Sequence, residues 1–138
     1  MATRKHAARE KGTAARAPHP SADAAKNLNV ANMELDRAAH VVELERLREI
    51  LREIPETTAD EGDPTVFERE KTLVLIRRVE DHIAEIDHAL EAARRGGYGI
   101  CENCGQPIEP ERLRILPETR VCVKCKTQME GRAHHRAW

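Results

Sequence analysis

The chain has 138 residues, a charged fraction of 34% and only 2% aromatic residues, with one Trp, one Tyr and one Phe. That length suits one ordinary domain, and so few large rings cannot fill a broad globular core, which leaves solvent-laced helices plus a small module held by something other than burial. The net charge of −1 hides an uneven distribution: Lys/Arg against Asp/Glu run six to two over residues 1–27, ten to seventeen over 28–95 and seven to five over 96–138. A reader of duplex DNA is more often basic along its longest structured element, so the acidic middle counts against direct sequence-specific DNA binding.

Residues 1–27 are rich in Ala, Arg, Lys and Pro and lack apolar periodicity, and Pro18-His19-Pro20 interrupts any helix there. They read as a disordered basic tail, suited to nucleic acid or an acidic protein surface, or simply solvated with no partner. No apolar core of a secretory signal follows Met1, and no apolar run approaches the length of a membrane span. The chain therefore reads as cytoplasmic, with no membrane partner and with its thiols reduced.

From about Asn32 to Ile54 the pattern becomes helical. Leu44, Leu47, Leu51 and Ile54 recur at spacings of three and four, the seam of a coiled coil. Toward the N-terminus Leu35, Ala38 and Val41 join that seam only with a phase shift. Pro55 ends the helix, because the residue before a proline avoids helical geometry. A polar turn, Glu56 to Asp63, then carries four acids. Asp63-Pro64 restarts a helix, Asp as N-cap and Pro in the first helical position.

The second helix runs to about Arg95 with Ile76, Val79, Ile83, Ile86, Leu90 and Ala93 in register, and Gly96-Gly97 closes it. Glu85 falls on its outer face, and His82 and His88 fall off the seam and read as solvated side chains. Two amphipathic helices joined by a short turn form an antiparallel hairpin, each seam covering the other, rather than pairing with a second chain.

The four cysteines follow as Cys101-Glu-Asn-Cys104 and Cys122-Val-Lys-Cys125, separated by seventeen residues. Two residues between thiolates let one turn aim both sulfurs at a point, and the long spacer folds a short hairpin that brings the second pair there. Four thiolates close a tetrahedral Zn2+ sphere, so the expected cofactor is one structural zinc on Cys101, Cys104, Cys122 and Cys125. Gly105 supplies the positive φ that such a turn wants. A disulfide framework is the alternative and needs an oxidising compartment; redox C-x-x-C chemistry needs a βαβ setting that this chain lacks. The expected fold is mainly α: a two-helix coiled-coil hairpin over 28–95 with an acidic tip near 56–63, then a small four-cysteine zinc finger with a short C-terminal helix within 96–138. No nucleophile–base pair, open metal position or cofactor loop marks an enzyme.

A helical hairpin followed by Gly97-Tyr98-Gly99-Ile100-Cys101-Glu102-Asn103-Cys104-Gly105 resembles the DksA/TraR family of bacterial transcription regulators. Pro107-Ile108, Glu111-Arg112-Leu113, Pro117, Cys122 to Cys125 and Lys126-Thr127 continue the resemblance, which covers about residues 32–130. It implies a partner, RNA polymerase, with the coiled coil entering the secondary channel and acidic tip residues acting near the catalytic Mg2+ to alter open-complex stability. A slender acidic rod suits a deep channel leading to a metal ion. The family's tip reads Asp-x-x-Asp-Ala; here Asp60, Glu61 and Asp63 keep the acidic spacing, with Pro64 in place of Ala. Family members often act together with ppGpp, but no residue is assigned to that contact. Two other classes stay open: a zinc-ribbon nucleic-acid binder gripping phosphates through Arg112, Arg114, Arg120, Lys124 and Lys126, and a coiled-coil adaptor between proteins.

Overall fold

The computed structural model describes residues 22–56 and 62–136. Among these described residues four helices follow in chain order: α1 (Ala22–Glu53), α2 (Pro64–Arg94), α3 (Pro110–Ile115) and α4 (Val123–Arg136). At 1.5 Å per residue the first two are each about 45–50 Å long, and they pack antiparallel as an arm. Among the described residues there is no strand, and a single isolated bridge joins Ile100 to Pro107.

The helix boundaries have local causes. Asp63 caps α2: its carboxylate accepts from the Thr65 backbone N–H and from Thr65 Oγ1, both at 2.8 Å, and Pro64 occupies the first helical position, where no N–H is needed. At the other end Gly96 takes φ +79°, Gly97 N–H donates to Ala92 O at 2.9 Å and Gly96 N–H donates to Ala93 O at 3.4 Å. That pair of bonds is a Schellman closure, and it turns the chain out of the arm into the cysteine module.

The first helix starts ten residues earlier than its periodicity suggests, at Ala22 rather than about Asn32, so the tail boundary near 27 falls inside it. An Ala-rich, proline-free stretch extends a helix readily, and Val30 and Met33 give that extension something to bury against. The expected phase shift is also absent. One ladder of buried and half-buried positions runs unbroken along α1 through 30, 33, 37, 40, 44, 47 and 51, and another along α2 through 65, 69, 72, 76, 79, 83, 86, 90 and 93, each flanked by further covered positions such as Val41 on α1 and His82 and Ala89 on α2. Met33, Arg37 and His40 hold the seam, while Leu35 is 73% exposed and Ala38 is exposed. Polar side chains in two seam positions disguise the heptad.

The arm therefore has two apolar blocks. Near its base Met33 packs with Ile86, Ala89 and Leu90, flanked by Val30 and Tyr98. Nearer the tip Leu44, Leu47 and Ile76 pack together, flanked by Leu51, Val79 and Ile83. Buried Thr72 satisfies its hydroxyl by donating to Glu68 O at 2.8 Å. Between the blocks lies a polar stretch that includes Arg37 paired with Asp87.

Candidate metal centre and acidic tip

After the Schellman turn the chain passes Tyr98, whose hydroxyl donates to Pro117 O at 2.9 Å while its ring packs on the arm's basal block. Gly99 accepts from Ile108 N–H at 2.7 Å, and Cys101 N–H donates to Gln106 O at 2.8 Å. These bonds wrap the first knuckle. Gly105 sits at φ +72°, the conformation expected of it, and its N–H returns to Cys101 O at 2.9 Å. The spacer between the cysteine pairs does not form the expected hairpin. Beyond the one bridge it folds as α3, started by Pro110 in the first helical position, and Leu116 N–H closes onto Arg112 O at 2.8 Å. Arg112 Nε donates to Val121 O at 3.2 Å, so α3 carries the chain back to the second pair. Cys122 and Cys125 straddle the start of α4.

All four Sγ atoms lie within 4.8 Å of one another, and Cys101, Cys122 and Cys125 are buried. Cys104 Sγ and Cys122 Sγ are 3.8 Å apart. Four sulfurs at about 2.3 Å from a tetrahedral zinc sit about 3.8 Å from each other, whereas a disulfide needs about 2.05 Å. The thiols also differ in acidity. The Cys122 backbone amide, against burial and with help from the amides of Cys104 and Asn103, pulls the Cys101 thiol down to about 6. Asn103 Nδ2 donates to Cys125 Sγ at 3.2 Å and favours its thiolate, yet Cys122, burial and the other sulfurs outweigh it and push Cys125 up to about 12. Cys101 ionises readily, while Cys104 and Cys125 resist. A dication among them removes that conflict, so the donor set fits zinc.

Charged side chains tie this module to α2. His88 Nε2 lies 2.8 Å from Glu102 Oε1, and Arg120 reaches Glu85 at 3.0 Å and Glu102 at 3.8 Å. Neither His88 nor Glu85 is the free outer-face residue that periodicity suggests; a seam pattern within one helix carries no signal about the module that folds against it.

At the far end, Glu56 pairs with Arg69 at 3.1 Å across the turn. Asp63 is held by Thr65, first by the backbone N–H and then by the hydroxyl, and both bonds lower its pKa from 3.8. Asp60 and Glu61 lie outside the described residues. No helix among the described residues is long and apolar enough to cross a membrane.

Residues 96–131 match the prokaryotic dksA/traR C4-type zinc finger, a span that contains all four cysteines. An uncharacterized protein of Aquifex aeolicus is 50% identical over 48 residues, 35% of this chain and 33% of that relative, so the match spans a third of its length. The RNA polymerase-binding transcription factor DksA of Caulobacter vibrioides is 34% identical over 96 residues, 61% of this chain and 68% of the relative. Among solved structures, transcription factor DksA2 from Pseudomonas aeruginosa superposes with a TM-score of 0.71 at 29% identity, covering 83% of this chain and 89% of that one. With its two-helix arm and a cysteine module that takes one structural Zn2+, the chain belongs to the DksA/TraR family of C4-type zinc-finger proteins.

Proposed function

We propose that this protein is a cytoplasmic transcription regulator, not an enzyme, that binds RNA polymerase and inserts its arm into the secondary channel to modulate initiation. The observation that carries the reading is the shared build: an arm about 45–50 Å long set on a four-cysteine module, aligned over most of its length with a relative named for binding RNA polymerase. In this reading Cys101, Cys104, Cys122 and Cys125 hold the zinc, which fixes the module at 96–138 as the arm's base. The basic tail stays outside the channel, and the arm over 28–95 carries Asp60, Glu61 and Asp63 toward the catalytic metal. Asp63 is already engaged as a helix cap, so Asp60 and Glu61 bear the electrostatic role.

The phosphate-gripping alternative loses support from the same geometry. Arg120 is paired with two glutamates, Arg112 donates to a backbone carbonyl, and Lys126 lies 3.5 Å from Glu130. Three of its five cations thus have partners within the chain.

The test pairs a binding assay on core RNA polymerase with in vitro transcription from an unstable ribosomal promoter. Asp60→Asn with Glu61→Gln preserves side-chain size, so binding should persist while the effect on initiation is blunted, because charge near a metal in a confined site acts strongly. Failure of the wild type to bind polymerase rejects the reading as a whole. Equal effects from wild type and double variant reject the role of the tip alone.

A further inference from the structure

The polar stretch of the arm seam holds a group of side chains that neither the zinc module nor the tip uses. Asp36 and His40 lie one turn apart on α1, and His82 faces them from α2. Asp36 Oδ1 is 3.4 Å from His40 Nε2, and Asp36 Oδ2 is 3.2 Å from His82 Nε2. The two imidazoles meet edge to face, with ring centroids 4.4 Å apart and planes at 73°. The ligand-capable atoms of all three residues lie within 4.8 Å of one another.

We propose that Asp36, His40 and His82 form a second metal site, for a divalent ion of the zinc class, that clamps α1 to α2 midway along the arm. The spacing fits the ion. Nitrogen and oxygen ligands at about 2.0–2.1 Å on a tetrahedron stand about 3.3 Å apart, and the carboxylate approaches each imidazole at a similar separation, one through each oxygen, with a ligand atom of all three residues inside 4.8 Å. The donor chemistry fits as well: two imidazoles and one carboxylate suit zinc, copper or nickel better than magnesium or calcium, which prefer oxygen alone. Positions 36 and 40 are separated by one helical turn, so one helix presents two ligands on the same face, and the third comes from the facing helix. Three protein ligands leave a coordination position open to water, unlike the closed four-sulfur centre. The site also accounts for the placement of His40 in the seam, in the polar stretch between buried Met33 and Leu44.

An ion bound across two helices binds the closed hairpin and not the separated helices. The arm's melting temperature should therefore climb as the ion's concentration rises. The site rests on the arm's own geometry and is independent of the polymerase reading.

The experiment uses full-length protein already carrying zinc on its cysteines, titrated with further Zn2+ by calorimetry while the histidine ring resonances are followed by NMR. The wild type should take up one further ion, with the His40 and His82 rings shifting together. Asp36→Asn and His82→Gln, checked for unchanged helical circular dichroism, should each weaken that uptake by at least the roughly 10- to 100-fold that even outer-shell partners are worth. Absence of a further ion overturns the proposal. So does uptake that survives in both variants, which would place the ion elsewhere. If a variant loses its helical signal, the wild-type resonances decide alone: unshifted His40 and His82 rings overturn the site.

Discussion

The arm and the cysteine module solve the same problem of holding a small structure together in opposite ways. Along the arm, burial is spread over two blocks of aliphatic side chains, and Ile86 is 0% exposed. In the module the buried cluster is Cys101, Ile108, Cys122 and Cys125, so three of its four members are thiols. Removing apolar area from water stabilises the first in many small increments, while the second depends on a single event, the binding of an ion. A 138-residue chain with so few aromatics can therefore support a long exposed rod and still end it in a rigid base.

The sharpest way to break the comparison is to remove the metal. Apparent zinc-binding energies of small fingers are about 10–16 kcal/mol, far more than the module's few apolar contacts can replace. Chelation, or Cys101→Ser, should unfold the module and abolish its dispersed NMR signals while most of the helical circular dichroism remains, since α1 and α2 hold most of the helical residues. A module that stays folded without metal would end the distinction.

A smaller effect is expected from the arm. Leu47→Ala removes a buried side chain from the tip-side block and should cost about 2–5 kcal/mol, read as a lower urea midpoint for the helical signal. Arg78→Gln, on the exposed face of the same hairpin, should change stability by less than about 0.5 kcal/mol. Zinc stoichiometry should be the same in both variants. Loss of zinc in Leu47→Ala would mean that the two regions fold as one unit.

The smallest effect concerns the cap of α2. Hydrogen bonds from Thr65 lower the Asp63 pKa, so the ionised form favours the folded arm. That contribution is fully present above the unfolded value of 3.8 and is lost as pH falls through the depressed folded value. Asp63→Asn keeps a capping oxygen but no titration. The melting-temperature difference between wild type and Asp63→Asn should thus be constant at neutral pH and shrink in acid below the ordinary carboxylate range. A difference that stayed flat into strong acid would remove the cap's electrostatic part.

Much of the arm was legible in the chain because its signals are local. Asp63-Pro64 and Gly96-Gly97 act through their own backbone geometry, and α2 begins and ends where they place it. The α2 seam was readable since its positions from Ile76 to Ala93 are apolar throughout. The α1 seam was not, because Arg37 and His40 occupy positions that periodicity reads as solvent, and Leu35 offers a false alternative. Their partners, Asp87 and His82, are 50 and 42 residues away in the chain. No pattern within one helix can register a neighbour that distant.

The cysteine spacing, the breakers and the caps determined by themselves that a helical hairpin precedes a four-sulfur centre, since two-residue spacings and terminal caps constrain the chain over a few bonds. Tertiary structure decided the rest. It joined Arg120 of the module to Glu85 of the arm, replaced the hairpin between the knuckles with α3, and gathered Asp36, His40 and His82 at one point. The first and last of these need two segments to approach across space, and charged or polar side chains carry no periodic signature announcing which distant partner they will meet; α3 is a helix of only six residues, too short for a periodic pattern to show.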